Sequence, residues 1–320
     1  MIMKISYFLL FLFLFAQKVM GQTKTDSIPF IAYWAAGDSH NFTITKIKQQ
    51  WQEDNLIKND STSFQASFTV LDSSDIGYRI KWAYDIDLSQ FANSADSTSN
   101  LIKSIAKDMI MEATYRTNEI GQFVELENLE EIKNRTLSIY RTISEYIEKS
   151  GKMSAEQSEK MQLTLNKIFS SKELVEQMVA KDIILFHSPF GFQYPVTDTL
   201  RYEDKIANLF GGPALQADVR VHVNALDPDN RYCIISQTAS INPKDAKKYL
   251  MSLLPQLGIT DKEMGEIAQT STFNIVDKKH LEYWYDPGIP NFIESNRQSI
   301  LQTGDKKVKR VDITKIQYND

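Results

Sequence analysis

Residues 63–87 read SFQASFTVLDSSDIGYRIKWAYDID, and this stretch decides the fold. In its first part Phe64, Ala66, Phe68 and Val70 fall on one parity, and Gln65, Ser67 and Thr69 on the other. In its second part Tyr78, Ile80, Trp82, Tyr84 and Ile86 alternate with Arg79, Lys81, Asp85 and Asp87. A repeat of two marks a strand with one buried face, because successive Cβ atoms point to opposite sides of a sheet. DSSDIG, between the runs, supplies the small and polar residues of a hairpin turn. Upstream, NFTITKIKQQW (41–51) reads as the preceding strand, and the slip of its apolar phase between Ile44 and Ile47 predicts a β-bulge there. Residues 40–87 are therefore expected to form a three-stranded antiparallel meander.

Working outward, LIKSIAKDMIM (101–111) has helical spacing, and ATYRTNEIGQFVEL (113–126) reads as a hairpin turning at Asn118–Gly121. Asn128 with Glu131, Ser154 with Gln157 and Ser170 with Glu173 have the spacing of capping boxes and predict three successive helices. Alternation then resumes in ALQADVRVHVNAL (214–226), with Leu215, Ala217, Val219, Val221 and Val223 on one face and Asp218, Arg220 and His222 on the other. DPDN (227–230) turns the chain into RYCIISQTAS; a helix is expected from Pro243 and another after Thr260. Of the final strands, STFNIV and HLEYWY flank Asp277-Lys278-Lys279, which reads as a hairpin turn. KKVKRVDITKIQY carries Lys306, Lys307, Lys309 and Arg310 and reads as an edge strand guarded by charge, with contact to an anionic surface as the sharper alternative.

Strand runs and helix runs, without β–α alternation, predict an α+β fold. The expected form is a meandering antiparallel sheet, in one version curved and half-barrel-like, with a central helical block packed on it. The expected divisions are a leader (1–21), a loose segment (22–31), a strand-rich half (32–127), the helical block (128–181) and a second strand-rich half (182–320). The two halves are expected to form one composite domain.

The leader, MIMKISYFLLFLFLFAQKVMG, has one early lysine and a short apolar core, and it ends in small residues before Gln22. This is the pattern of a secretory signal cleaved between Gly21 and Gln22. No cysteine follows that junction, so export without lipid attachment at the new N-terminus is expected, to the periplasm or beyond. Without Lys4 and Lys18, 34 basic residues stand against 41 acidic ones, a net charge of −7. That balance argues against nucleic acid as a partner, and no later apolar run is long enough to cross a bilayer as a helix.

A single cysteine, Cys233 in a β-branched run, excludes an intramolecular disulfide and a thiolate metal cluster and predicts a buried thiol. His40, His187, His222 and His280 have no metal-ligand spacing; His222 is expected on a solvated strand face and His187 as a hydrogen-bonded interior histidine. No metal and no cofactor are expected. The aromatic positions Tyr78, Trp82 and Tyr84 are the candidate lining of an apolar ligand site, against the plainer expectation that they pack beneath helices. The tripeptides starting at Asp26, Asp60, Asp96 and Asp198 resemble the sites at which some bacteria O-glycosylate exported proteins, which implies Ser27, Ser61, Ser97 and Thr199 as acceptors.

Two family resemblances bear on function. Gly37-Asp38-Ser39 near the start of the mature chain and Asp277-x-x-His280 near its end resemble the end blocks of GDSL-type serine esterases. That resemblance implies Ser39 as nucleophile with Asp277 and His280 as partners. The context argues against it: a strand-like segment, not a helix N-terminus, follows Ser39, and the family's intermediate G-x-N-D block is missing. The order of elements, with no shared motif, is similar to that of the lipoprotein-carrier family of the bacterial envelope. It implies an exported, non-catalytic protein that binds a lipid or other hydrophobic small molecule on an apolar sheet face. The alternative is a structural module that engages an envelope protein partner and has no ligand cavity.

Overall fold

The computed structural model describes residues 26–85, 112–151, 154–169, 172–206, 215–253, 271–304 and 306–319. The Gly21–Gln22 junction, Ser97, the helix expected over 101–111, Ser170 of the third capping pair and the helix expected after Thr260 lie outside these residues. The described chain is mostly antiparallel sheet. Its strands are β1 (Ser27–Pro29), β2 (Ser39–Gln52), β3 (Asn55–Ser74), β4 (Gly77–Asp85), β5 (Glu112–Thr117), β6 (Phe123–Leu126) and β7 (Gln193–Pro195). They continue with β8 (Leu200–Ile206), β9 (Leu215–Asp227), β10 (Tyr232–Ile241), β11 (Ser271–Trp284), β12 (Ile289–Thr303) and β13 (Lys306–Asn319). The helices are α1 (Leu129–Lys149), α2 (Ala155–Phe169), α3 (Lys172–Val179), α4 (Lys181–Phe186) and α5 (Pro243–Leu253).

Eleven strands make one open sheet in the order β6-β5-β4-β3-β2-β13-β12-β11-β10-β9-β8. The predicted meander is its β2-β3-β4 part, and the hairpins at Asn118–Gly121 and at 227–230 join β5 to β6 and β9 to β10. β13 lies at the centre, between β2 and β12, so the expectation of an edge strand for Lys306–Arg310 is corrected. The lysines instead lie along a paired strand, and Lys309 places its ammonium 4.9 Å from the centre of the Trp51 ring. The segment expected to be loose is also corrected over its described part. β1 pairs with β7, and Ile28 and Phe30 are fully buried.

One expected turn and one expected bulge are absent. β11 runs unbroken through Asp277, Lys278 and Lys279, because the two lysines fit a strand whose faces are both partly wet. β2 pairs without irregularity across Ile44–Ile47; its register shift falls at Gln50/Trp51. The capping pairs divide likewise. Ser154 and Gln157 bond reciprocally, Ser154 N to Gln157 Oε1 at 2.9 Å and Gln157 N to Ser154 Oγ at 3.2 Å. Asn128 makes no side-chain cap; its Oδ1 accepts from Thr114 N at 3.0 Å and ties the helix start to β5.

One face of the sheet, the inner face, carries the core. On β2 to β4 it presents Phe42, Ile44, Ala66, Phe68, Val70, Ile80 and Trp82, all buried. Against it lie α4, the turn after it and the N-terminal segment. Phe186 meets Phe42, Phe68 and Trp82 at ring centroid distances of 5.2–5.6 Å. Trp34 meets Phe68, Tyr78 and Phe190. Tyr283 on β11 donates its hydroxyl to the Phe186 carbonyl at 2.6 Å, which satisfies a helix-end acceptor inside an apolar core.

Candidate functional site: the inner face of the open sheet

Strand register turns the inner face into transverse rows. One row is aliphatic: Ile44, Ile316, Ile293, Leu281 and Ile235 are mutual partners across β2, β13, β12, β11 and β10, and all are buried. The next row on the same strands is Lys46, Thr314, Ser295, Lys279 and Gln237. The row after it is Lys48, Asp312, Arg297, Asp277 and Ala239. Beyond these comes a mixed row of Ile275, Ser299, Arg310 and Gln50, and then a row with Phe273, Leu301 and Val308 at inner positions of β11, β12 and β13. Phe273 packs on Tyr249 of α5, while Val308 is 42% exposed.

Three ion pairs partly neutralise the charged rows. Lys46 Nζ lies 2.8 Å from Oδ2 of Asp182 on α4, whose side chain is 2% exposed. Tyr84 donates to the same oxygen at 3.4 Å, and Asp182 Oδ1 has no partner among the described residues. Arg297 grips Asp277 with two bonds, Nε to Oδ1 at 2.6 Å and Nη2 to Oδ2 at 2.5 Å. Arg310 pairs with Asp312. Lys48, Lys181 and Lys279 have no carboxylate within ion-pair distance among the described residues. Loss of hydration, and secondarily the positive charge of Arg297, lower the pKa of Lys181, against the upward pull of Asp312 and Asp182. Loss of hydration also lowers the pKa of Lys279, opposed by Asp277 and Asp204. By surface area Lys181 is exposed and Lys279 half-buried. Protein crowds both ammonium groups while leaving them reachable from solvent.

Tyr78, Trp82 and Tyr84 share the inner face, as their parity predicts. Trp82 is fully buried and stacks on Phe42, with Phe186 across it. Tyr78 donates to the Ala32 carbonyl at 3.0 Å. Tyr84 borders the charged rows, and burial with the nearby Asp182 charge holds its hydroxyl well above the usual range. The aromatic end of the face is thus filled by the protein's own side chains. His187 sits among these rings; its Nδ1 donates to the Gly121 carbonyl at 2.7 Å, and its Nε2 accepts from the Tyr115 hydroxyl at 2.8 Å. Burial lowers its pKa to about 3, so it is a neutral interior residue. Cys233 is buried, and its thiol is pushed up to about 12 by loss of hydration. His222 lies exposed on the outer face of β9.

Ser39, Asp277 and His280 do not meet. Ser39 Oγ bonds Thr69 Oγ1 at 3.1 Å, Asp277 holds Arg297, and His280 Nε2 contacts Glu282 Oε1 at 2.9 Å. Asp277 and His280 lie on opposite faces of β11, because their spacing is odd. Among the acceptor candidates, Ser61 and Thr199 are exposed and Ser27 receives a bond from Gln193 Nε2. Among the described residues no group of His, Cys, Asp and Glu is placed to hold a metal, and no helix is long and apolar enough to cross a membrane.

The charged rows escape a reading of the strands one at a time. Their signal is the phase slip in NFTITKIKQQW: the inner positions after Ile44 are Lys46 and Lys48, so the face stays in register while its chemistry changes. No protein-family model and no curated protein matches the chain.

Proposed function

We propose that the protein is an exported, non-catalytic component of the cell envelope that holds a lipid or other hydrophobic ligand on the inner face of its open sheet. The observation that carries this reading is the uneven filling of that face. At the β2–β4 end α4, Trp34 and Phe190 fill it, whereas beyond the charged rows Phe273, Leu301 and Val308 are only partly covered. An open sheet leaves such a face accessible, and partly covered apolar area of this kind marks binding surfaces. In this reading the sheet is curved and the helices α1 to α3 cover its β4–β6 end. Support for the helices comes from Leu126 N donating to Glu176 Oε1 at 3.1 Å and from burial of Phe169 and Val175. The order of elements that resembles the lipoprotein-carrier family points the same way. Native mass spectrometry and organic extraction of the protein purified from its own host provide the test. A co-purifying apolar ligand is expected, and repeated recovery of the bare chain would overturn the proposal.

A second reading has its own observation. The aromatic end is a solid core, and the β2–β3 hairpin tip exposes Leu56 and Ile57 beside Trp51. A structural module that engages an envelope protein partner through that tip needs no cavity. Cross-linking from residue 57 in the host envelope distinguishes it, since a ligand carrier gives no single cross-linked partner there.

A further inference from the structure

The charged rows contain more cation than their pairs consume. Arg297 spends Nε and Nη2 on Asp277, and its Nη1 bonds to no described residue. Lys279 stands one row from Arg297 on the neighbouring strand, and Lys181 belongs to α4, which packs against β12 and is tied to the same face by the Lys46–Asp182 pair. Neither has an ion-pair partner among the described residues. Two ammonium groups, one exposed and one half-buried, thus stand near one guanidinium, and the partly covered apolar positions Phe273, Leu301 and Val308 lie two rows beyond Arg297 on the same face, past Ile275, Ser299 and Arg310.

We propose that Arg297 Nη1, Lys181 and Lys279 form a binding site for the oxyanion head, carboxylate or phosphate, of an amphiphile whose apolar tail lies along Leu301, Phe273 and Val308. The proposal rests on the inner-face reading above and adds the chemical class of its ligand. The chemistry follows from the donors. A guanidinium offers directed N–H groups that match carboxylate and phosphate oxygens, and ammonium groups add charge without fixed direction. Crowding of the two lysines raises the energy of their charged forms, and an incoming anion relieves it. A cationic or neutral apolar ligand relieves nothing there. The acids in reach do not cancel the site. Asp182 is held by Lys46, Asp277 by Arg297 and Asp312 by Arg310. Asp204, exposed on the edge strand β8, makes no ion pair with Lys279 and acts on it through space.

The test is calorimetric titration of the full mature chain with decanoate, with decyltrimethylammonium and with inorganic phosphate. It is repeated on K181Q/K279Q and on the control K149Q, which alters an exposed lysine in the last turn of α1. Decanoate is expected to bind, with affinity at least tenfold weaker in the double variant and unchanged in K149Q; decyltrimethylammonium is expected not to compete. If phosphate alone shows the same lysine dependence, the anion site stands and its ligand is a free oxyanion. If only decanoate does, the head group of an amphiphile is the ligand. Equal decanoate binding in the double variant, or no binding of either anion to the native chain, overturns the site. If the glutamine variant does not fold, K181M/K279M keeps the side-chain volume and reads the same dependence. Co-purification of an apolar ligand with the double variant at native occupancy would retain the inner-face function and remove only the anion site.

Discussion

His187 is held neutral inside the aromatic core, which sets a pH dependence for stability. The unfolded imidazole has a pKa near 6.5, and the folded one lies at about 3. Above the unfolded value neither state binds the proton and the residue contributes no slope. As pH falls between about 6.5 and 3 only the unfolded chain takes it up, and stability drops by up to ~1.4 kcal/mol per pH unit. Urea unfolding from pH 7 to pH 4 is expected to show a slope about one proton smaller in His187→Gln than in the native chain. Lys46 and Asp182 give a second outcome. Lys46→Met strands a buried carboxylate that already has one unpartnered oxygen. With allowance for the partial exposure of Lys46, the loss is roughly 2–4 kcal/mol, and Lys46→Met/Asp182→Leu should recover most of it in a double-mutant cycle. Single residues were legible in the sequence where neighbours decide them. The apolar runs around His187 and Cys233 foretold their burial, whereas the Arg297–Asp277 clamp needed strands twenty residues apart to be in register.

Elements depend on their turns. Gly77 opens β4 at φ +137°, and a Cβ there would sit 2.0 Å from the Thr117 carbonyl oxygen, because β5 ends against the hairpin. Gly37, at φ +96°, has open space around its missing Cβ. Both substitutions to alanine incur the left-handed strain, about 1–3 kcal/mol, and only Gly77→Ala adds a backbone clash. Chemical denaturation is therefore expected to rank Gly77→Ala well below Gly37→Ala in stability. Strands were legible wherever alternation was strict, as in β3, β4 and β9. They were misread where charge entered the inner face: Asp277 and Lys279, with Lys278 between them on the outer face, imitated a turn, and Lys46 and Lys48 imitated a bulge. Alternation identifies a strand by its buried side, and these strands are charged on that side.

For the whole molecule the decisive feature is the place of β13. It joins the β2 half of the sheet to the β12 half, and its register with β2 extends over twelve residues, from Val308↔Gln52 to Asn319↔Asn41. A chain ended at Gly304 leaves two sheets, each with a long unpaired edge. It is expected to lose the single cooperative unfolding transition, and a sharp calorimetric transition in that truncation would contradict the topology. Strand order was the least legible property of the sequence, because nothing local in KKVKRVDITKIQY identifies its neighbours.

The same pairing sets a clock on synthesis. Glu53 and Lys307, which meet beside the β2–β13 seam, are 254 residues apart in the chain. At about 5–20 residues per second, β2 emerges from the ribosome ~10–50 s before the strand that completes it. Throughout that interval Phe42 and Ile44 belong to a strand with one open side, so the nascent chain must be kept from pairing with other chains until its central strand arrives.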